Sequence, residues 1–285
     1  MSHSALIGRM ALPAGDSPLP FTQGVMAMAC AMVFLIGAAW DWQAKSTPSP
    51  AAVRSGGLWV LRFGWVLLTA LLAYDGLTRN TLPVDTAAGM LLSIGWGLSG
   101  LAIFLDLTFD HRLPVWVIAA ATTVCVFVAS RLGGDAHVFA ASVKPLIRLH
   151  IGAAILAYCL LVAQALNALA YLLQDRALAN RRFGGIYGLL PALVPMDRIG
   201  ANLMGAAVWT LGLSVVIGAV DGVASPTGFA NPPKLLMAGL AFFAAASLLF
   251  LRRRGAIGGA AFARGSLWIL LPALAALWLA LPAAR

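Results

Sequence analysis

The stretch Arg148-Leu-His-Ile-Gly-Ala-Ala-Ile-Leu-Ala-Tyr158, which continues without a proline to Arg182, decides the fold class. It is a long apolar helix with one histidine near its head and the group Gln174-Asp175-Arg176 to Arg181-Arg182 at its foot. At about 100° per residue, His150, Ala154, Ala157, Leu161 and Ala168 fall within roughly 40° of one direction, with Gln164 and Tyr171 just off that stripe. A face of small residues suits close helix contact in lipid. His150 then has two readings: a residue of the packing seam at headgroup level, or a metal ligand at one end of the span.

The rest of the chain agrees with a membrane setting. It has 285 residues, 61% hydrophobic and 10% charged, with mean hydropathy +0.90, whereas a soluble domain carries roughly 25% charged residues. Ahead of the first apolar run stand Arg9, Pro13, Pro18 and Pro20. That pattern is unlike a signal peptide, so the first span is expected to remain in the mature protein. All ten acidic residues are aspartate, a bias with no physical account. Cys30, Cys125 and Cys159 sit singly in apolar segments and read as small buried side chains, and no Cys-x-x-Cys-His exists for covalent heme attachment.

Eight segments reach the length of about 20 apolar residues that a bilayer requires: 22–41, 57–75, 86–107, 113–130, 149–173, 200–221, 234–251 and 266–283. Trp40, Trp42, Trp59, Trp116 and Trp268 fall near span ends, as an aromatic belt requires. The expected fold class is all-α, a polytopic membrane helix bundle. Its domains would be an N-terminal four-helix half over 1–144 and a C-terminal four-helix half over 145–285.

Net charge +9 is scattered through short loops, which points to orientation in a bilayer and away from nucleic acid. The fifth connection carries Arg176, Arg181, Arg182 and Arg198, and the seventh carries Arg252, Arg253, Arg254 and Arg264. The sixth carries Lys234 alone. The positive side faces the cytoplasm, so both termini are expected on the outer, periplasmic side, together with His150 and His137. Arg62, inside the second span, can snorkel to its end. Asp106 has Arg112 as a plausible partner, and His111 reads as a solvated loop residue.

Ionisable residues are absent from the span midpoints, which argues against an ion-driven transporter. Span six is rich in small residues, with Ala201/Gly205 and Ser214/Gly218 spaced by four as in helix seams. The outer loop after it, with Pro226, Gly228, Pro232 and Pro233, reads as ordered. No Walker loop, His-Glu-x-x-His, Gly-x-Ser-x-Gly or Gly-x-Gly-x-x-Gly is present, and no acid–base pair stands out.

In the second half, His150-Ile-Gly-Ala-Ala-Ile-Leu-Ala-Tyr158, Ala170-Tyr-Leu-Leu-Gln-Asp-Arg176, Leu190-Pro191, Met196-Asp-Arg198 and Gly212-Leu-Ser-Val-Val-Ile-Gly218 follow in order. Over roughly 145–270 they resemble the cytochrome c assembly family, nearest its eight-span YpjD- and HemX-like inner-membrane branch. The resemblance implies heme handling in cytochrome c biogenesis or assembly of a membrane complex, with His150 as an axial ligand of non-covalent heme. Asn231-Pro232-Pro233-Lys234 resembles the family's Asp-Pro-Lys, but loop six has no tryptophan and no histidine follows position 150.

A heme site also needs an apolar slot and partners for the propionates. His137 is a candidate second ligand, and Arg148, Lys144 and Arg131 are candidate propionate partners. A bacterial inner-membrane protein without turnover chemistry is expected, in contact with the lipid bilayer, with heme and with other cytochrome assembly proteins. Two alternatives stand beside it: a scaffold that kept the fold without heme, and a small-molecule permease.

The orientation has a direct check. Reporter fusions at Asn180 and Gly258 are expected to read as cytoplasmic, and one at Ser225 as external. An external signal at Asn180 would reverse the topology.

Overall fold

The computed structural model describes residues 21–46, 51–79, 84, 86–108, 115–131, 145–181, 190–224 and 232–279. Within them eight helices follow one another: α1 Phe21–Ser46, α2 Ala51–Arg79, α3 Ala87–Thr108, α4 Val115–Arg131, α5 Pro145–Ala179, α6 Leu193–Ala224, α7 Pro232–Arg253 and α8 Gly259–Trp278. No strand occurs among the described residues. In hydrocarbon every backbone N–H and C=O must be answered within the protein, and a helix does this within its own segment. Seven of the eight are long and apolar enough to cross a membrane. The exception is α4, with 17 residues.

Its contacts show that α4 crosses as well. Near its start, the Trp116 backbone N–H donates to Asp41 Oδ2 at 3.1 Å, close to the end of α1. Near its finish, Ser130 Oγ reaches Met28 Sδ at 3.5 Å, close to the start of α1. The two helices therefore lie antiparallel over the same depth, which makes eight crossings. The other sequential pairs alternate in the same way. Trp65 stacks on Trp96 between α2 and α3 at 5.7 Å, and Arg62 pairs with Asp106 in the same interface at 3.2 Å. His150 meets Ser214 and Asn167 meets Met196 along α5 and α6.

The Arg62–Asp106 pair was not anticipated from the sequence; the expected partner Arg112 lies outside the described residues. The Arg62 guanidinium also lies over the exposed Trp59 ring, 4.9 Å from its centroid. Two helix starts differ as well. α6 and α8 begin at Leu193 and Gly259, seven residues ahead of their apolar runs. Asp197, Arg198 and Arg264 interrupt the hydropathy but not the backbone. Pro195 sits in the first turn of α6, where the N–H it lacks would have had no helical partner.

One contiguous apolar core draws on all eight helices, from Phe34 and Leu61 through Leu98, Val126 and Leu161 to Met204, Ala245 and Ile269. Outside it the surface is itself apolar. Trp209, Trp268, Trp278 and Phe243 are among the most exposed large side chains, as lipid-facing helices require. Trp116 departs from the expected aromatic belt. It turns inward, edge-on to Trp42 at 5.0 Å.

Asp41 explains why a helix as short as α4 holds its place. The first-turn N–H groups of a helix have no partners within it, and α4 has no acidic residue in its own first turn. Asp41, 2% exposed, supplies the missing acceptor from α1. The α2 backbone approaches closely there, since a Cβ on Gly57 would stand 2.7 Å from the Asp41 Cβ. Asp41→Ala is expected to lower stability by about 1–2 kcal/mol, the size of a lost helix cap, with Asp41→Asn retaining most of it. Thermal unfolding in detergent measures both, and an unchanged midpoint for the alanine variant would exclude the capping role.

Candidate imidazole site at the head of α5

The most extensive helix interface in the bundle is that between α5 and α6. Two glycines of α6 allow it. A Cβ on Gly200 would stand 2.9 Å from Asn167 Nδ2, and one on Gly218 would stand 2.9 Å from His150 Cε1. Gly212 and Gly205 face the other way, toward α7. There a Cβ on Gly212 would stand 2.8 Å from the Phe242 ring, and one on Gly205 would stand 3.3 Å from the tip of Arg253 and 3.9 Å from Leu249. The small residues of span six thus serve two seams, one on each neighbouring helix.

His150 sits in the first of these seams, half-buried. Its Nδ1 lies 2.8 Å from the Ser214 carbonyl oxygen. A carbonyl only accepts, so Nδ1 carries the proton and donates, and Nε2 of the neutral ring holds the lone pair. The Ser214 hydroxyl donates back to the His150 carbonyl at 3.3 Å. Ser214 therefore fixes both the tautomer and the ring plane, while Gly218 gives the ring its seat. Lys234 at the start of α7 and Asp221 at the end of α6 are close enough for their charges to act on the ring. The site joins α5, α6 and α7 at one end of the bundle.

The other sequence candidates fall as follows. Arg148 is exposed and, two residues before His150, lies about 200° around the helix from it. Arg131 ends α4 with its guanidinium 5.5 Å from the Phe127 ring. His137 and Lys144 lie outside the described residues. Among the described residues no group of three or more His, Cys, Asp or Glu is placed to hold a metal ion. A porphyrin iron does not need one, because the ring supplies four nitrogens and the protein only the axial ligand. A Nδ1–H donating to a backbone carbonyl is the usual outer partner of a metal-ligating histidine, so His150 fits that requirement.

Sequence reasoning missed Ser214, Lys234 and Asp221 as neighbours of His150. The Ser214/Gly218 spacing marked a seam, yet nothing in it named the helix on the other side.

The fold and this site define a class: a polytopic membrane bundle that presents one oriented imidazole at the end of its longest helix. The family model described as "Cytochrome C assembly protein" matches residues 84–281. This is more than half of the chain, which therefore belongs to the cytochrome c assembly protein family. The match takes in α3 to α8, so it begins well ahead of the motifs around His150. No curated protein matches the chain.

The two seams of α6 predict unequal effects. Gly218→Leu drives a side chain into the His150 ring and is expected to cost roughly 1–3 kcal/mol, as overpacking does. Gly205→Leu is expected to cost less, because the Arg253 tip can move aside. Thermal unfolding of the two variants in detergent compares them, and equal losses would exclude the distinction.

Proposed function

We propose that this member of the family handles heme non-covalently in the bacterial inner membrane, as a binding protein and not as an enzyme, with His150 as the protein's axial ligand. The observation that carries the reading is the Nδ1–H donated by His150 to the Ser214 carbonyl, which leaves Nε2 as the ligating nitrogen. When bound, heme supplies an iron that takes a neutral imidazole as axial ligand. The protein's part is to hold that imidazole in one tautomer and one plane. Among the described basic residues, Lys234 is the one that acts on the His150 ring, and it is a better propionate partner than Arg148 on the far side of α5. The eight-helix count supports placement in the YpjD- and HemX-like branch. Partners in this reading are the bilayer and other cytochrome assembly proteins.

A second reading has its own support. Loop six carries no tryptophan and no histidine follows position 150, which favours a scaffold that kept the fold and lost heme.

A visible absorption spectrum of the detergent-purified protein from heme-replete cells separates the two. Substoichiometric heme is expected in the wild type, lost in His150→Ala and spectrally altered in His137→Ala. An unchanged band in His150→Ala would make His150 structural. No band even after added heme would leave the scaffold reading standing.

A further inference from the structure

Away from His150, toward the opposite end of the bundle, α5 carries Gln164, Asn167 and Gln174. Their exposures are 1%, 3% and 3%. Their spacing sets them on the face that meets α6 and α8. Two of the amides have committed their donors: Gln164 Nε2 donates to Ser266 Oγ on α8 at 3.0 Å, and Asn167 Nδ2 donates to the Met196 carbonyl on α6 at 2.9 Å. Ser266 in turn donates to the Phe262 carbonyl at 2.9 Å. The carboxamide oxygens Gln164 Oε1, Asn167 Oδ1 and Gln174 Oε1 are buried and receive no hydrogen bond from the protein. The indole N–H of Trp116 is likewise buried without an acceptor. Trp116 packs against Ala170, Leu190 and Met196, as Tyr171 does.

We propose that this region is an internal hydration site, in which bound water donates to the three carboxamide oxygens and accepts from the Trp116 indole. Buried polar groups in native proteins are nearly always answered, and lipid chains cannot answer them. The unanswered set contains both acceptors and a donor. Water serves both kinds, whereas a monovalent cation would serve the oxygens and leave the indole N–H unanswered. The way in is from the Arg252 end. There Asp197 and Arg252 form an ion pair with both side chains about one quarter exposed, and a Cβ on Gly259 would stand 3.2 Å from Asp197 Oδ1 and against the Tyr171 hydroxyl. Ser266 lies seven residues into α8, so water would reach roughly 10 Å below the helix start at 1.5 Å per residue. In the half of the bundle around His150, the buried α5 residues Ala153, Ala157 and Leu160 offer water no polar side chain. The bundle would thus be hydrated from one end only.

Hydroxyl-radical footprinting by brief radiolysis of the full-length protein in detergent tests this, because water held inside a protein labels the side chains beside it. Met196 and Met204 are both buried on α6, but Met196 borders the amide cluster while Met204 lies in the apolar core. Labelling of Met196 without Met204 is expected, falling to the Met204 level in Gln164→Leu/Asn167→Leu. If that double variant does not fold, Asn167→Leu alone is read in the same way. Equal labelling of the two methionines, labelling of neither, or labelling of Met196 that persists in the variant would each overturn the proposal. A thermal midpoint that depends on sodium or potassium in place of choline would also overturn it, in favour of a bound cation.

Discussion

The close approach of α6 to α5 is the contact on which the rest of the molecule depends. In lipid there is no hydrophobic gain from bringing two apolar helices together, so they associate through dispersion and hydrogen bonds that demand short distances. Gly200 and Gly218 supply those distances at two points along the seam. With the backbones this near, the His150 ring reaches the Ser214 carbonyl and the Asn167 amide reaches the Met196 carbonyl. A side chain at Gly218 would press on the His150 ring, and one at Gly200 would press on the Asn167 amide.

From that seam the bundle builds outward by alternation. Helix α8 joins α5 through Gln164 and Ser266, and α7 closes on α6 through Phe242 and Gly212. On the other flank Cys159 of α5 meets α3, with its thiol donating to the Ile94 carbonyl at 3.6 Å. Helices α1 and α4 pair beyond it, held at one end by Asp41. The polar groups are few but they sit where helices meet, and they set registry between apolar surfaces that could otherwise slide.

The functional consequence is an asymmetry along α5. Its head presents one imidazole whose free nitrogen is chosen by a carbonyl on the neighbouring helix. Its lower half carries carboxamides directed into the bundle. Membership of the cytochrome c assembly family gives the first feature a chemical context in the proposal above, while the second follows from hydrogen-bond accounting within the chain.

By itself the sequence determined the architecture. The length and apolarity of each run required helices that cross a bilayer, because hydrocarbon accepts no unpaired backbone. The motif string from His150 to Gly218 pointed to the family, and His150 stood out as the histidine heading the longest span. Tertiary structure decided which faces meet. A hydropathy window cannot see that Arg62 belongs with Asp106, that Asp41 caps another helix, or that Trp116 turns inward. Nor could it mark Gln164, Asn167 and Gln174 as a cluster, since an amide on a long apolar helix reads the same whether it faces lipid or another helix. Those pairings join residues far apart in the chain, and they exist only once helices of nearly uniform apolarity have been rotated into contact.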